Sequence, residues 1–310
     1  MTVGDFYEEH KMGYLYLAGS LVANFAKGFC GKLMSGLANT PRKAYFFTFL
    51  RMSLCFIIAA VILAVQGQLS ALAVTPTVLI IALLSGAGQA AQSITWLLSA
   101  RKDALLLVEV FVMLGVFVTV FLSWGVLGEQ PTVLQLIGLV LLLAASLVIC
   151  SYNTKIKTKL TPSALLLLCL CGLASGLTDF SQKLFAAWCA DTSRSVFNFY
   201  TFAVCAVVVG LFLLTTVNHT VHPTQSVRAL RPVAKWLAVY ISIMALGLYV
   251  YAFCKTAAAS YLPAVQLYPL FQGFTLLNTC IMATLFKEKI TVRAVIGLLI
   301  AFVGLLMINL

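Results

Sequence analysis

Long apolar runs alternate with short polar breaks along the whole chain. Ten runs stand out, at about 14–37, 44–66, 77–98, 104–126, 132–151, 163–188, 195–217, 236–254, 261–285 and 292–310. Each is near the ~20 residues a helix needs to cross ~30 Å of hydrocarbon at ~1.5 Å per residue. The pattern predicts an all-α polytopic membrane protein with ten transmembrane helices. Short breaks predict antiparallel neighbours in a compact bundle. The longest break, Asn218 to Lys235, holds two His and two Pro. No segment is long or polar enough for a second, soluble domain.

Composition points the same way. The chain has 310 residues, 62% apolar and 9% charged, against ~25% charged in an average soluble domain. So little polar matter cannot cover a water-soluble surface of this size. A soluble enzyme, a nucleic-acid binder and a disordered tail are excluded. Residues 1–13 read as an N-terminal tail. Asp5, Glu8 and Glu9 make it acidic, unlike the basic start of a cleaved signal peptide. The first run is therefore expected to be a retained helix.

Net charge is +11, and most of it reads as a topology signal. The odd-numbered connections carry thirteen Lys and Arg, whereas the tails and even connections carry three. By the positive-inside rule the odd connections are cytoplasmic and both termini outside. That placement also discounts Asn218-His219-Thr220 as a glycosylation acceptor. The nine cysteines all lie in apolar segments or at their ends, without a C-x-x-C. They read as small buried hydrophobes, not as disulfides or a zinc site.

The chain repeats itself. At a shift of 159, residues 129–149 fall on 288–308 with eight of 21 positions identical, among them Glu129/Glu288, Thr132/Thr291 and Gly138/Gly297. At a shift of 151, FCGKL (29–33) falls on FSQKL (180–184), pairing Lys32 with Lys183. Residues 14–156 and 157–310 thus read as two five-helix repeats. Five is odd, so the second copy crosses the membrane in the opposite sense. Inverted repeats are a signature of secondary transporters.

The ending LFKEKITVRAVIGLLIAFVGLLMI resembles the closing motif of the drug/metabolite transporter superfamily, in its EamA-like ten-helix branch. FCKTAAASYLPAVQLYPLFQGF (253–274) is similar to that family's passage from helix 8 to helix 9, with a mid-helix Pro. FLRMSLCFIIAAVIL resembles its second helix. The resemblance implies two inverted five-helix halves, a transport activity, and both termini in the cytoplasm, against the charge rule. One departure is Glu109-Val110 where the second half has Tyr268-Pro269, so the halves need not bend alike.

Charges inside the bilayer are the sharpest clue, since each costs at least ~2.5–3.5 kcal/mol on insertion scales. Asp179 and Lys27 lie deepest. Asp179 reads either as one side of a structural pair with Lys183, four residues on, or as a proton or substrate-amine site. Lys27 reads as a partner for a substrate carboxylate or phosphate. Lys183 and Lys32 lie nearer helix ends. Arg51 reads as a helix-end anchor or a site residue, and Glu109 as a partner of Arg101 or Lys102 or a coupling site. Lys255 reads as an interfacial anchor. Glu129 and Glu288 are expected to cap the helices that follow them. Tyr268, beside Pro269, stands out among Trp96, Tyr200, Tyr249, Tyr251, Tyr261 and Phe271 as a cavity-lining aromatic. Gly86/Gly88 and Gly172/Gly176 read as close-packing positions.

The functional expectation is a permease for a small polar metabolite, an amino acid or another zwitterion, in the plasma (cell inner) membrane. Alternatives are a proton-coupled exporter of cationic or amphipathic compounds and a non-transporting scaffold. No enzyme motif is present, and no cofactor or metal is expected. Expected partners are a small solute, the bilayer and protons as a coupling ion, with no nucleic acid. Ten helices suffice for a pathway in one chain, so a functional monomer is expected.

Overall fold

The computed structural model describes residues 3–35, 41–100, 105–150, 162–215, 234–285 and 292–310. These hold ten α-helices: α1 (Val3–Ser35), α2 (Pro41–Val65), α3 (Pro76–Ala100), α4 (Leu105–Leu127), α5 (Val133–Cys150), α6 (Pro162–Trp188), α7 (Arg194–Thr215), α8 (Ala234–Ala259), α9 (Ala264–Leu285) and α10 (Val292–Asn309). A 3-10 turn at Leu69–Leu72 joins α2 to α3. Lipid offers the backbone no hydrogen bonds, so apolar segments satisfy their own as helices. Among the described residues, five helices contain a stretch long and apolar enough to cross a membrane, and three further apolar stretches are shorter. Large apolar side chains such as Leu15, Val22, Val61, Leu166, Leu211 and Leu299 face outward, where hydrocarbon is their natural solvent.

Local chemistry explains the helix ends. Pro41, Pro76 and Pro162 open their helices, where the missing N–H costs nothing. Thr132 and Gln135 form a reciprocal capping box at the start of α5, with backbone-to-side-chain bonds of 3.0 and 3.2 Å. Gly128 ends α4 in the left-handed conformation, φ +73°, with its N–H on the Trp124 carbonyl at 3.1 Å.

Two boundaries correct the sequence reading. Helix α1 begins at Val3, so the expected tail 1–13 is almost wholly helical. Asp5, Glu8 and Glu9 fall in its first two turns. Helix α8 runs to Ala259 instead of ending near 254. Lys255 and Thr256 are thereby carried inside it.

The main packing partners are α1 with α8, α3 and α4 with α6, α2 with α7, and α5 with α10. Glycines set the closest approaches. A Cβ at Gly172 would strike the Phe111 carbonyl, and one at Gly115 or Gly176 the facing glycine backbone of the other helix. Thr119 adds a hydroxyl bond to the Gly176 carbonyl at 3.0 Å. On α3, a Cβ at Gly86 would lie 2.7 Å from the Thr201 carbonyl, and one at Gly88 2.7 Å from Thr178 Oγ1. Both small-residue pairs act as packing positions, as expected. Cys30, Cys55, Cys171, Cys189 and Cys205 are buried free thiols, Cys254 is half-buried and Cys169 is exposed. The side chains of Cys150 and Cys280 lie outside the described residues.

Candidate functional site

Charged side chains converge on one long stretch of α8. At its end, the Lys183 ammonium on α6 meets Glu129 Oε1 at 2.8 Å. It also donates to the carbonyls of Ala259, 3.0 Å away, and Leu262, 2.8 Å away. All three of its N–H groups therefore have acceptors. The other oxygen of Glu129 accepts the Ala264 N–H at 2.7 Å. Glu129 thus holds the first turn of α9, and Lys183 holds the last carbonyl of α8 and the Leu262 carbonyl in the turn after it. Both ends of the α8–α9 junction are neutralised in the sense their dipoles favour. Glu129 was expected to cap α5, but the Thr132–Gln135 box does that. The left-handed turn at Gly128 leaves Glu129 directed at α9.

One turn along α8, Lys255 Nζ lies 2.7 Å from Asp179 Oδ1. The expected partner of Asp179, Lys183, is instead committed to Glu129. Lys255 is only 1% exposed, so it is no interfacial anchor; the extra length of α8 buries it. Its ammonium also donates to Tyr251 Oη at 3.2 Å. It lies 4.3 Å from the centre of the Phe271 ring, 5.2 Å from Tyr268 and 5.4 Å from Tyr251. An ammonium at these distances is stabilised by the rings' quadrupoles, the more so when desolvated. Tyr268 is fully buried, and its hydroxyl donates to the Asp179 backbone carbonyl at 2.6 Å. Pro269, inside α9, cannot donate to the Val265 carbonyl, which loosens the backbone beside Tyr268.

Lys27 comes next. It packs beside Gly247 on α8, and its ammonium lies over the ring of Tyr251, whose hydroxyl Lys255 reaches, 4.4 Å from the ring centre. A neighbouring bond from Asn24 to Thr275, 3.2 Å long, ties α1 to α9. Lower still, Cys55 on α2 donates to the Ala245 carbonyl at 3.3 Å. Arg51 lies one turn before Cys55 on α2, and its Nε is buried without a hydrogen-bond partner. Ala259 to Ala245 spans 14 residues, about 21 Å of helix. The groups form a ladder along most of the hydrocarbon thickness.

The structure therefore gathers Lys27, Arg51, Asp179, Lys183 and Tyr268 along α8, in two clusters and a clamp and not at one point. The side chains of Glu109 and Lys32 lie outside the described residues, as do Glu288 and the Asn218-His219-Thr220 segment. Sequence reasoning missed Lys255 and Tyr251 as site residues. The available signal was the four-residue spacing of Tyr251, Lys255 and Ala259, which sets them on one helix face. It also missed a set of buried polar atoms without a hydrogen-bond partner: Ser85 Oγ, Gln182 Oε1, Asn198 Nδ2, Thr201 Oγ1 and Thr256 Oγ1. Buried polar groups are normally satisfied, so these side chains are polar positions inside the bundle that the helix-by-helix reading did not single out. Elsewhere, Tyr249 and Tyr200 serve as packing residues, their hydroxyls donating to Ser195 Oγ at 3.3 Å and the Leu72 carbonyl at 2.7 Å.

Comparison with known proteins supports the fold over nearly the whole chain and gives a family likeness for its second half. A protein of known crystal structure superposes with a TM-score of 0.69 over 97% of this chain and 96% of its own, at 15% identity. That likeness concerns the fold. No curated protein matches the chain. The family model of the EamA-like transporter family matches residues 162–310. That match covers the second half of the chain, the half that holds Asp179, Lys183, Lys255 and Tyr268.

Proposed function

We propose that the protein is a secondary active transporter that moves a small polar metabolite across the plasma (cell inner) membrane by alternating access. The observation that carries this is the ladder of buried charge along α8, inside a bundle whose family consists of transporters. A buried ion pair is a poor stabiliser, because desolvation consumes most of the Coulomb gain. Inside a membrane such groups mark solute or ion pathways. An amino acid or another zwitterion suits a site with both charge signs, and protons are the proposed coupling ion. Lys255 occupies the Asp179 carboxylate, which weighs against export of organic cations through that residue.

The packing supports two inverted halves, 14–156 and 157–310. Exchange each helix for the one five places away. The α1–α8 contact becomes α6–α3, and the α2–α7, α5–α10 and α4–α9 contacts become themselves; all are present. The symmetry is not complete: α6 packs on α8, whereas the counterpart pair α1 and α3 scarcely meets. Helices α4 and α6 pack closely through their glycines, whereas the counterpart pair α9 and α1 touches far less. A bundle closed on one side of its site and looser on the other has this form. One chain supplies all ten helices, so the proposed working unit is a monomer.

The test is uptake from a total metabolite extract into vesicles holding the purified protein, read by mass spectrometry. Accumulation of at least one solute above protein-free vesicles is expected. Identical contents in the two vesicle preparations would refute transport.

A further inference from the structure

Helices that alternate in direction bring the start of α1, the end of α10 and the α8–α9 turn to one end of the bundle. There, four elements converge on that turn, Ser260 to Pro263. Lys183 of α6 holds its Leu262 carbonyl at 2.8 Å, and Glu129, just after α4, holds the Ala264 N–H at 2.7 Å. The two side chains meet at 2.8 Å. Arg194, which opens α7, donates to Ser260 Oγ at 3.4 Å and lies 5.9 Å from the centre of the Tyr16 ring on α1. The rings of Tyr16 and Tyr261 stack at 6.0 Å. Helix α1 comes so near at Gly13 that a Cβ there would sit 2.8 Å from the Leu262 side chain. Beneath the turn, Leu17, Leu262 and Val265 belong to one buried apolar cluster. The turn thus covers the Asp179–Lys255 pair, one helical turn further in. The far half of α1 is packed differently. Ala23 to Phe29 make about two turns, yet none of the seven is buried. A helix against a closed core buries one stripe, as α1 does at Gly13, Leu17 and Ser20. A helix that is accessible all round borders a crevice on its inner side.

We infer that the α8–α9 turn is the gate that shuts the pathway at this end, with the Glu129–Lys183 pair as its latch. To admit solute from this end the two side chains part, and the turn swings away with the first turn of α9. Pro269 supplies the hinge, because it breaks the α9 ladder at the Val265 carbonyl. The latch is built to open. Its side chains keep 9% and 23% of their surface accessible, against 1% and 6% for Lys255 and Asp179. Water can therefore solvate the two ions as they separate, whereas parting the inner pair would strand both charges. Glu129 comes from the first half of the chain and Lys183 from the second, so a movement of one half against the other acts on the latch directly. The inference rests on the transporter reading and names the end that is shut and the residues that shut it.

The experiment labels the full chain in vesicles with a membrane-impermeant maleimide, each label being located by peptide mass spectrometry. Val265→Cys reports on the gated end and Thr275→Cys on the α1–α9 side, each with and without Glu129→Gln. That variant keeps an acceptor for the Ala264 N–H and removes the ion pair; melting temperatures confirm that it is folded. Labelling of Val265→Cys from the gated end is expected to rise about fivefold or more. Labelling of Thr275→Cys from the opposite end is expected to fall by about a third, since one population grows at the expense of the other. Glu129→Asp, which keeps the charge, falls between wild type and Glu129→Gln. Faster labelling at 265 with no change at 275 is local loosening of the turn and overturns the gate. Unchanged rates at both positions overturn it too. If Glu129→Gln does not fold, the same two readings on Glu129→Asp decide. Uptake without the reciprocal change in labelling defeats the gate alone, whereas vesicles that take up nothing defeat the transporter reading and the gate together.

Discussion

Asp179 and Lys255 lie 76 residues apart and meet at 2.7 Å, and Lys183 meets the Ala259 carbonyl at the same 76-residue offset. Helices α6 and α8 therefore run parallel and in register, with two lysines pointing in opposite directions between them. Lys255 goes from α8 to α6, and Lys183 from α6 to α8. The exchange locks the register, because sliding by one residue would unpair both ammonium groups.

Removing one member of the buried pair strands the other charge. Lys255→Ala is expected to destabilise the protein by about 3–5 kcal/mol. The double variant Asp179→Asn/Lys255→Gln should recover most of that loss, since no uncompensated charge remains. Melting in detergent with a ligand-free sample distinguishes the two. Additive losses would mean that the pair is not coupled.

The clamp at the α8–α9 junction gives a separate prediction. Lys183→Met leaves the Ala259 and Leu262 carbonyls without the ammonium and Glu129 Oε1 without its ion-pair partner, at an expected cost of about 2–4 kcal/mol. Protease should then cut first near residues 260–263. Cleavage elsewhere, with that junction intact, would show that the clamp does not hold the loop.

Tyr251 serves both lysines, through its ring for Lys27 and through its hydroxyl for Lys255. Tyr251→Phe keeps the ring and should cost about 1 kcal/mol. Tyr251→Ala loses ring and hydroxyl and should cost distinctly more, about 2–4 kcal/mol. Equal melting shifts for the two variants would remove the cation–ring contact from the account.

At the α4–α6 crossing, Gly115→Ala forces a methyl into the backbone of Gly172 and should cost about 1–3 kcal/mol. Gly125→Ala on the same helix has open space around it and should be near neutral. A similar cost at both positions would show that the close crossing is not what requires glycine at 115.

Much of the fold was legible in the sequence because lipid makes hydrophobicity a direct report of helical span. Most helix ends fell within a few residues of the expected boundaries. The end of α8 did not, because Lys255-Thr256 interrupted the apolar run. Three alanines, Ala257 to Ala259, carry the helix on, and alanine is the strongest helix former. The partners of the charges were less legible. Reading along one helix offers Lys183 to Asp179, four residues away, whereas the pairing in the bundle crosses to another helix. Glu129 showed the same limit. Its charge suits a helix start, but only the turn at Gly128 decides which helix. Both members of the clamp had nonetheless appeared as repeat positions, Lys183 matching Lys32 and Glu129 matching Glu288.

The central claim is that the ladder along α8 is the route of transport and not merely internal bracing. Its most direct test is solute counterflow in vesicles for the wild type and for Asp179→Asn/Lys255→Gln, both shown by melting to be folded. The account predicts a folded double variant whose exchange rate falls at least about tenfold. Exchange at the wild-type rate would contradict it.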